Sequence, residues 1–217
     1  METLLPKNKT LVWGGGSCLK LIRPYLHRIG RDADFIFSDV GKPRTISDLL
    51  ANPIHDLVEA AQVCDAYVVC IGGSHGLRRS ELSIYLEQSF SLRPLQLVHP
   101  TAYICETVDV PDSIIVMPNA VINSFADIKR DCMINTSAVV EHECCLGRGV
   151  HLMGSAVITG RVTIEDYATI GSNATVLPDL NIGSQSFVGA GAVVTKNVDA
   201  FSTVIGVPAK PMRRSML

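Results

Sequence analysis

Ile134-Asn135-Thr136-Ser137-Ala138-Val139-Val140-Glu141-His142-Glu143-Cys144-Cys145-Leu146-Gly147 decides the architecture, because Ile134, Val140 and Leu146 stand six residues apart. The column continues in both directions without a slip. Toward the N-terminus it runs through Ile128, Ile122, Val116, Val110 and Ile104. Toward the C-terminus it runs through Leu152, Ile158, Ile164, Ile170, Val176, Ile182, Val188 and Val194, making sixteen consecutive aliphatic positions. Two residues ahead lies a second, largely small column: Ala102, Ala120, Ala126, Cys132, Ala138, Cys144, Ala156, Ala168, Ala174 and Ala192. Glycine follows the aliphatic residue at Gly147, Gly171, Gly183 and Gly189. A period of six is neither the 3.6 of a helix nor the 2 of a simple strand. It predicts a hexapeptide β-helix, in which each hexad makes a short strand and a corner and three hexads close one triangular coil. A chance run of alternating strands in a sandwich gives no reason for sixteen positions in register.

Upstream of Leu97 the pattern is different. Thr10 to Trp13 reads as a buried strand and Gly14-Gly15-Gly16 as a tight turn, with Ser17 as N-cap of a helix over Cys18 to Arg28 that Gly30 ends. Pro24 lies inside that helix. Asp34 to Phe37 and Ala66 to Ile71 read as further strands, Leu77 to Phe90 as a helix, and Leu95 to Val98 as a last strand. Residues 46–57 and 59–63 read as helix or loop. Strands alternating with helices at this spacing predict a small parallel α/β unit. The expected division is therefore an α/β domain over 1–97 and a β-helix with a C-terminal tail over 98–217.

The chain has 217 residues, with 19 Lys+Arg against 21 Asp+Glu. Near-neutrality argues against a general nucleic-acid binder. The longest apolar run, Ala66 to Ile71, is far short of the ~20 residues of a membrane span. The first residues lack the basic and apolar regions of a signal peptide, so a cytoplasmic location is expected. Seven cysteines without a CxxC pair point to reduced, mostly buried thiols.

The stretch Ile134 to Gly147, set in the hexad repeat and followed at the end by Ile205-Gly206-Val207-Pro208-Ala209-Lys210, resembles one group of sugar acyltransferases. These join a small N-terminal Rossmann-like domain to a left-handed β-helix. They include sialic acid O-acetyltransferase and the N-acetyltransferases of nucleotide-linked 4-amino-sugars, such as the bacillosamine-pathway enzyme. The resemblance covers essentially the whole chain and is more specific over the β-helix.

His142 stands two residues past a core position, at a corner, where its imidazole can face outward. Acyl transfer from a thioester needs a base for the attacking amine or hydroxyl, and histidine suits neutral pH. The resemblance implies that His142 is that base and that Glu143 polarises it; without it, the pair reads as a corner histidine beside a solvated glutamate. It also implies acetyl-CoA contacts at His151, Gly160, Ser172 and Ala190. The 18-residue return independently stacks Gly154, Ser172 and Ala190 in one column and His142, Gly160 and Pro178 in another. Small corners leave backbone groups open to a pantetheine arm, although tight turns need small residues too. Asn135 is a further candidate for orienting the substrate. Lys210, Arg213 and Arg214 read either as contacts for CoA phosphates or as a solvated tail.

No metal is implied. A carbonic-anhydrase-like β-helix site needs three converging histidines, whereas here His142 and His151 have the wrong spacing and His99 lies at the edge. Cys144 belongs to the inward column, which reads as core rather than as a nucleophile.

A glycine turn between a strand and a helix N-terminus suits an anion. The resemblance implies that Gly14, Gly15, Gly16 and Ser17 cradle the nucleotide-sugar, with Asp39 near the ribose or base and Gly72 in the turn after the next strand. This chain departs from the family at Cys18, where histidine is common, and at Val40, where a second acid often follows. No GxGxxG is present, which disfavours a dinucleotide enzyme.

The function expected is acetyl-CoA-dependent N-acetylation of a nucleotide-linked amino-deoxysugar for a surface glycan, in a homotrimer with active sites between β-helices. Sugar O-acetylation and a non-catalytic nucleotide-sugar-binding scaffold are the alternatives.

Overall fold

A computed structural model describes residues 8–14, 16–37 and 55–212. The chain forms two compact units, Met1–Ile71 with Arg78–Leu97, and Gly72–Leu77 with Val98–Leu217. Residues 46–54 lie outside the described residues.

In the first unit, strands β1 (Thr10–Trp13), β2 (Phe35–Phe37), β3 (Ala66–Val69) and β4 (Arg93–Pro94) form one sheet in the order β2-β1-β3-β4. All its pairings are parallel. Helices α1 (Ser17–Arg28), α2 (His55–Val63) and α3 (Gly76–Phe90) fall between the strands in sequence. Leu11, Trp13, Tyr67 and Val69 pack with Leu57, Ala60 and Ala61 of α2 and Leu82 and Leu86 of α3. Their neighbours Val12 and Val68 are buried as well, as expected for a parallel sheet covered on both faces.

Two local expectations shift. The N-cap of α1 is Gly16 rather than Ser17, and no side chain bonds the cap; Ser17 is the first helical residue. The strand expected over Leu95 to Val98 is two shorter ones. Arg93–Pro94 closes the first sheet at its edge, where a proline without N–H is tolerated, and Leu97–Val98 opens the next.

The second unit is a left-handed parallel β-helix. Two-residue strands recur every six residues from Ile115–Val116 to Val193–Val194, and strands 18 apart pair in parallel, Met133 with His151 and His151 with Thr169. The aliphatic residues of the hexads fill the interior together with the small column ahead of them. Residues on one face of a coil thus lie directly above those of the next, which puts Ala120, Ala138, Ala156, Ala174 and Ala192 in one buried file. Full burial of each aliphatic side chain contributes about 1.5–3 kcal/mol.

Each hexad also turns on a residue with left-handed backbone. Ser113, Asn119, Phe125, Asp131, Ser137, Glu143, Ser155, Arg161, Tyr167, Asn173, Asp179 and Gln185 have φ between 52° and 65°, and Gly149 and Gly191 complete the series. Most are not glycine, and this periodic feature is absent from the sequence expectations.

The regular period stops after Val194. Phe187 pairs with Thr203 and Val188 with Val204, a return of 16 residues, and the chain then reverses in an antiparallel pairing of Ile205 with Lys210.

The segment Gly72–Leu77 seats on the β-helix. A Cβ on Gly149 would stand 2.7 Å from the Gly76 carbonyl oxygen, and one on Gly76 would run into the Gly149 carbonyl. Two backbones meet there with no room for a side chain. Among the described residues, no helix is long and apolar enough to cross a membrane.

Candidate active site

The corner after strand Val139–Val140 carries His142 and Glu143, both exposed. Glu143 is the left-handed residue of its hexad (φ 57°), so the chain turns sharply just after His142. His142 Nδ1 lies 3.0 Å from Glu143 Oε2. A carboxylate can only accept, so the ring proton resides on Nδ1 and the Nε2 lone pair is left for chemistry.

One coil on, buried Gly160 makes room for the ring. A Cβ there would stand 2.6 Å from His142 Nε2 and 2.7 Å from Cε1. The resemblance implies a coenzyme contact at Gly160; in the structure Gly160 is the floor beneath the histidine. The corner residues after it extend an ionic column. Arg161 Nε and Nη2 donate to Asp179 Oδ1 and Oδ2 at 2.6 and 2.9 Å. Arg161 holds the Asp179 carboxyl below its usual range, and the charge of His142 acts in the same direction. The Glu143 carboxylate in turn favours the charged form of Arg161. The His142–Glu143 pair and the ion pair therefore share one electrostatic environment, which the sequence analysis did not anticipate; the signal was the 18-residue spacing of 143, 161 and 179.

The remaining predicted residues fall elsewhere on the prism. Asn135 lies at the preceding corner, its Oδ1 accepting from Thr136 N at 2.7 Å. Half-buried Ser172 and exposed Ala190 stack at that same corner, and Ser172 O accepts from Gly191 N. His151 heads the strand His151–Leu152 on a different face from His142 and is buried. Its Nδ1 donates to Gly73 O at 2.9 Å, so part of its work is to tie down Gly72–Leu77. Gly72 sits in that segment, with nothing within 4 Å of where a Cβ would stand.

In the first unit, Gly14 has φ 117°, and a Cβ there would stand 2.8 Å from the Cys70 carbonyl oxygen. Close approach of β3 thus requires glycine at position 14. Around Gly16 there is open space, and Ser17 is exposed at the start of α1. Gly15, Asp39, Arg213 and Arg214 lie outside the described residues. Cys144 is buried and burial raises its thiol pKa, in keeping with core rather than nucleophile. Lys210 lies in the final antiparallel pairing, exposed.

Residues 161–196 match the bacterial transferase hexapeptide family (six repeats). Over 77 residues the chain is 38% identical to 2,3,4,5-tetrahydropyridine-2,6-dicarboxylate N-acetyltransferase of Staphylococcus aureus, a stretch covering 32% of either protein. The chain thus spans about a third of the length of the curated relatives it matches. Likeness to solved structures is broader. PerB of Caulobacter crescentus, determined with CoA and GDP-perosamine, superposes with a TM-score of 0.80 at 29% identity, covering 94% of this chain and 97% of that one. The acetyltransferase domain of PglB from Neisseria gonorrhoeae shares the fold, with a TM-score of 0.78 at 24% identity over 94% of this chain and all of the other. Residues 161–196 thus carry the hexapeptide repeat of bacterial transferases, and the chain as a whole is similar in fold to PerB.

Proposed function

We propose that this chain transfers the acetyl group of acetyl-CoA to the amine of a nucleotide-linked amino-deoxysugar destined for a surface glycan. The observation that carries the reading is the His142–Glu143 pair, with Nδ1 bound by carboxylate and Nε2 above a glycine floor. His142 Nε2 takes a proton as the amine nitrogen attacks the thioester carbonyl. Glu143 fixes the tautomer and stabilises the imidazolium that forms. Backbone N–H groups hold the tetrahedral oxyanion. Collapse breaks the C–S bond, and His142 returns its proton to the departing CoA thiolate. The whole-chain likeness to PerB, solved with CoA and a GDP-sugar, supports the same pairing of substrates here.

Acetyl-CoA contacts are assigned to His151, Gly160, Ser172 and Ala190, and acceptor contacts to Gly14, Gly15, Gly16, Ser17, Asp39, Gly72 and Asn135. His142 and His151 occupy different faces of one prism, so a site using both draws on two β-helices. That supports a cyclic homotrimer in which each boundary forms one site. The setting is the cytoplasm, where acetyl-CoA and nucleotide-sugars are available.

Incubation with acetyl-CoA and GDP-, UDP- and dTDP-linked amino-sugars, reading free thiol release, tests the proposal. One nucleotide amino-sugar should support release, and His142→Ala should slow it by about 10²–10⁴-fold, the usual contribution of a general base. Release with hydroxyl acceptors alone would make the enzyme an O-acetyltransferase. Nucleotide-sugar binding with no turnover in the unmodified protein would make it a binding module.

A further inference from the structure

The surroundings of Cys18 give its thiol a chemistry of its own. It occupies the second position of α1, a helix of 12 residues whose open N–H groups favour an anion. It is half-buried, so a small reagent can reach it. Its contact is the buried thiol of Cys70, just past the end of β3, within hydrogen-bonding reach. Gly14 O, 2.9 Å from Cys70 Sγ, is the alternative acceptor of its one proton. Buried Arg79 donates from Nη1 to Ile71 O at 2.9 Å, which fixes a cation beside the pair. The two thiols are therefore held together by the packing of β1, β3 and α1.

Their protonation differs as well. The hydrogen bond from Cys70 lowers the Cys18 pKa, burial opposes this, and the Arg79 charge assists it. Cys70 moves the other way, raised by its contact with Cys18 and by burial. One thiol is primed to ionise and the other held as its protonated neighbour.

We propose that Cys18 and Cys70 form a peroxide-responsive redox pair, closing into a disulfide that links the first turn of α1 to the end of β3. The Cys18 thiolate attacks one oxygen of hydrogen peroxide. An S–O bond forms, the O–O bond breaks, and the departing hydroxide takes a proton to leave as water. Cys70 sulfur then attacks the Cys18 sulfenic acid, forming S–S and breaking S–O, and the hydroxyl leaves as water with the Cys70 proton. The two thiols lose two electrons and the peroxide is reduced to two waters. Cys144 and Cys145 offer no such pair, because Cys144 is buried in the interior while Cys145, the first residue of the next strand, is exposed.

The test uses the full chain, treated with a small excess of hydrogen peroxide, alkylated and mapped without reduction. The expected result is a crosslink between the Cys18 and Cys70 peptides, reversed by dithiothreitol, with two of the seven thiols lost. Cys18→Ser should abolish the crosslink. Cys70→Ser should instead accumulate a dimedone-reactive sulfenic acid on Cys18. Oxidation confined to exposed Cys145 or to Cys105, with Cys18 and Cys70 still alkylated, would overturn the proposal. So would a persistent Cys18 sulfenic acid in the unmodified protein. Reversible loss of acetyl transfer on oxidation follows if the glycine turn seats the acceptor as proposed above. A crosslink that leaves turnover intact would count against that seat and not against the redox pair.

Discussion

A single corner carries the proposed chemistry: His142 faces outward because the next residue, Glu143, turns the chain at φ 57°. The cost of a left-handed non-glycine residue is of order 1–3 kcal/mol and persists only where the surrounding structure over-determines it. Here the hydrogen bond from Glu143 N to Ser124 O, one coil back, helps to fix it. Gly160 is the more sensitive partner. A methyl group at that position would stand within 2.6 Å of Nε2, too near for the ring to remain where it is. Gly160→Ala should lower kcat at least about tenfold by displacing the base, a loss of about 1.4 kcal/mol in transition-state stabilisation. Because the methyl group meets a surface side chain, Tm should fall by only a few degrees. Thiol-release kinetics and a thermal melt on the same preparation separate the two effects.

Among the elements, one carboxylate gathers three strand starts of the first sheet. Asp65, just ahead of β3, accepts from Arg31 Nη1 and Nη2 at 3.0 and 2.6 Å and from Nη2 of Arg93, the first residue of β4, at 3.2 Å. Arg31 also reaches Thr10 Oγ1 of β1. The Arg31 guanidinium holds the Asp65 carboxyl below its usual range, with Arg93 adding to it. A depressed carboxyl stabilises the fold above its unfolded pKa of about 3.9 and loses that contribution as pH falls through the lower folded value. Asp65→Asn should therefore destabilise the protein by about 1 kcal/mol at pH 7, a magnitude discounted for solvent screening. The gap to the unmodified protein should narrow steadily below about pH 4. Urea unfolding at several pH values measures this directly. A gap constant across the range would show that the network acts through shape and not charge.

For the whole molecule, the β-helix exposes all its strands' outward positions unequally. Those of one face, Ile115, Met133, His151 and Thr169, are buried, while Asp127, Cys145 and Thr163 on another are exposed. The His142–Glu143 corner itself is open, as the proposed site shared with a second copy requires. The expected particle is a trimer of about 70 kDa, built from chains of 23.4 kDa. Light scattering coupled to size exclusion checks it, and an active monomer would end the shared-site reading.

The sequence by itself determined the β-helix, its register and the contact of His142 with Glu143. Sixteen aliphatic residues at intervals of six specify which side chain points inward at every coil, and His142 and Glu143 are adjacent, so their pairing needs only a corner. The tertiary structure decided what stacking and long-range contact bring together. The 18-residue return already stacks Gly160 under His142, but only the structure shows the ring resting so close to it that a Cβ would not fit. His151 meets Gly73 across 78 residues of chain, and Cys70 meets Gly14 across 56. The final coil closes in 16 residues instead of 18, a change that the simple period does not encode. Periodicity reports which way a residue faces and which residues stack one coil apart; it carries no information on which segment from outside the repeat will arrive in front of it.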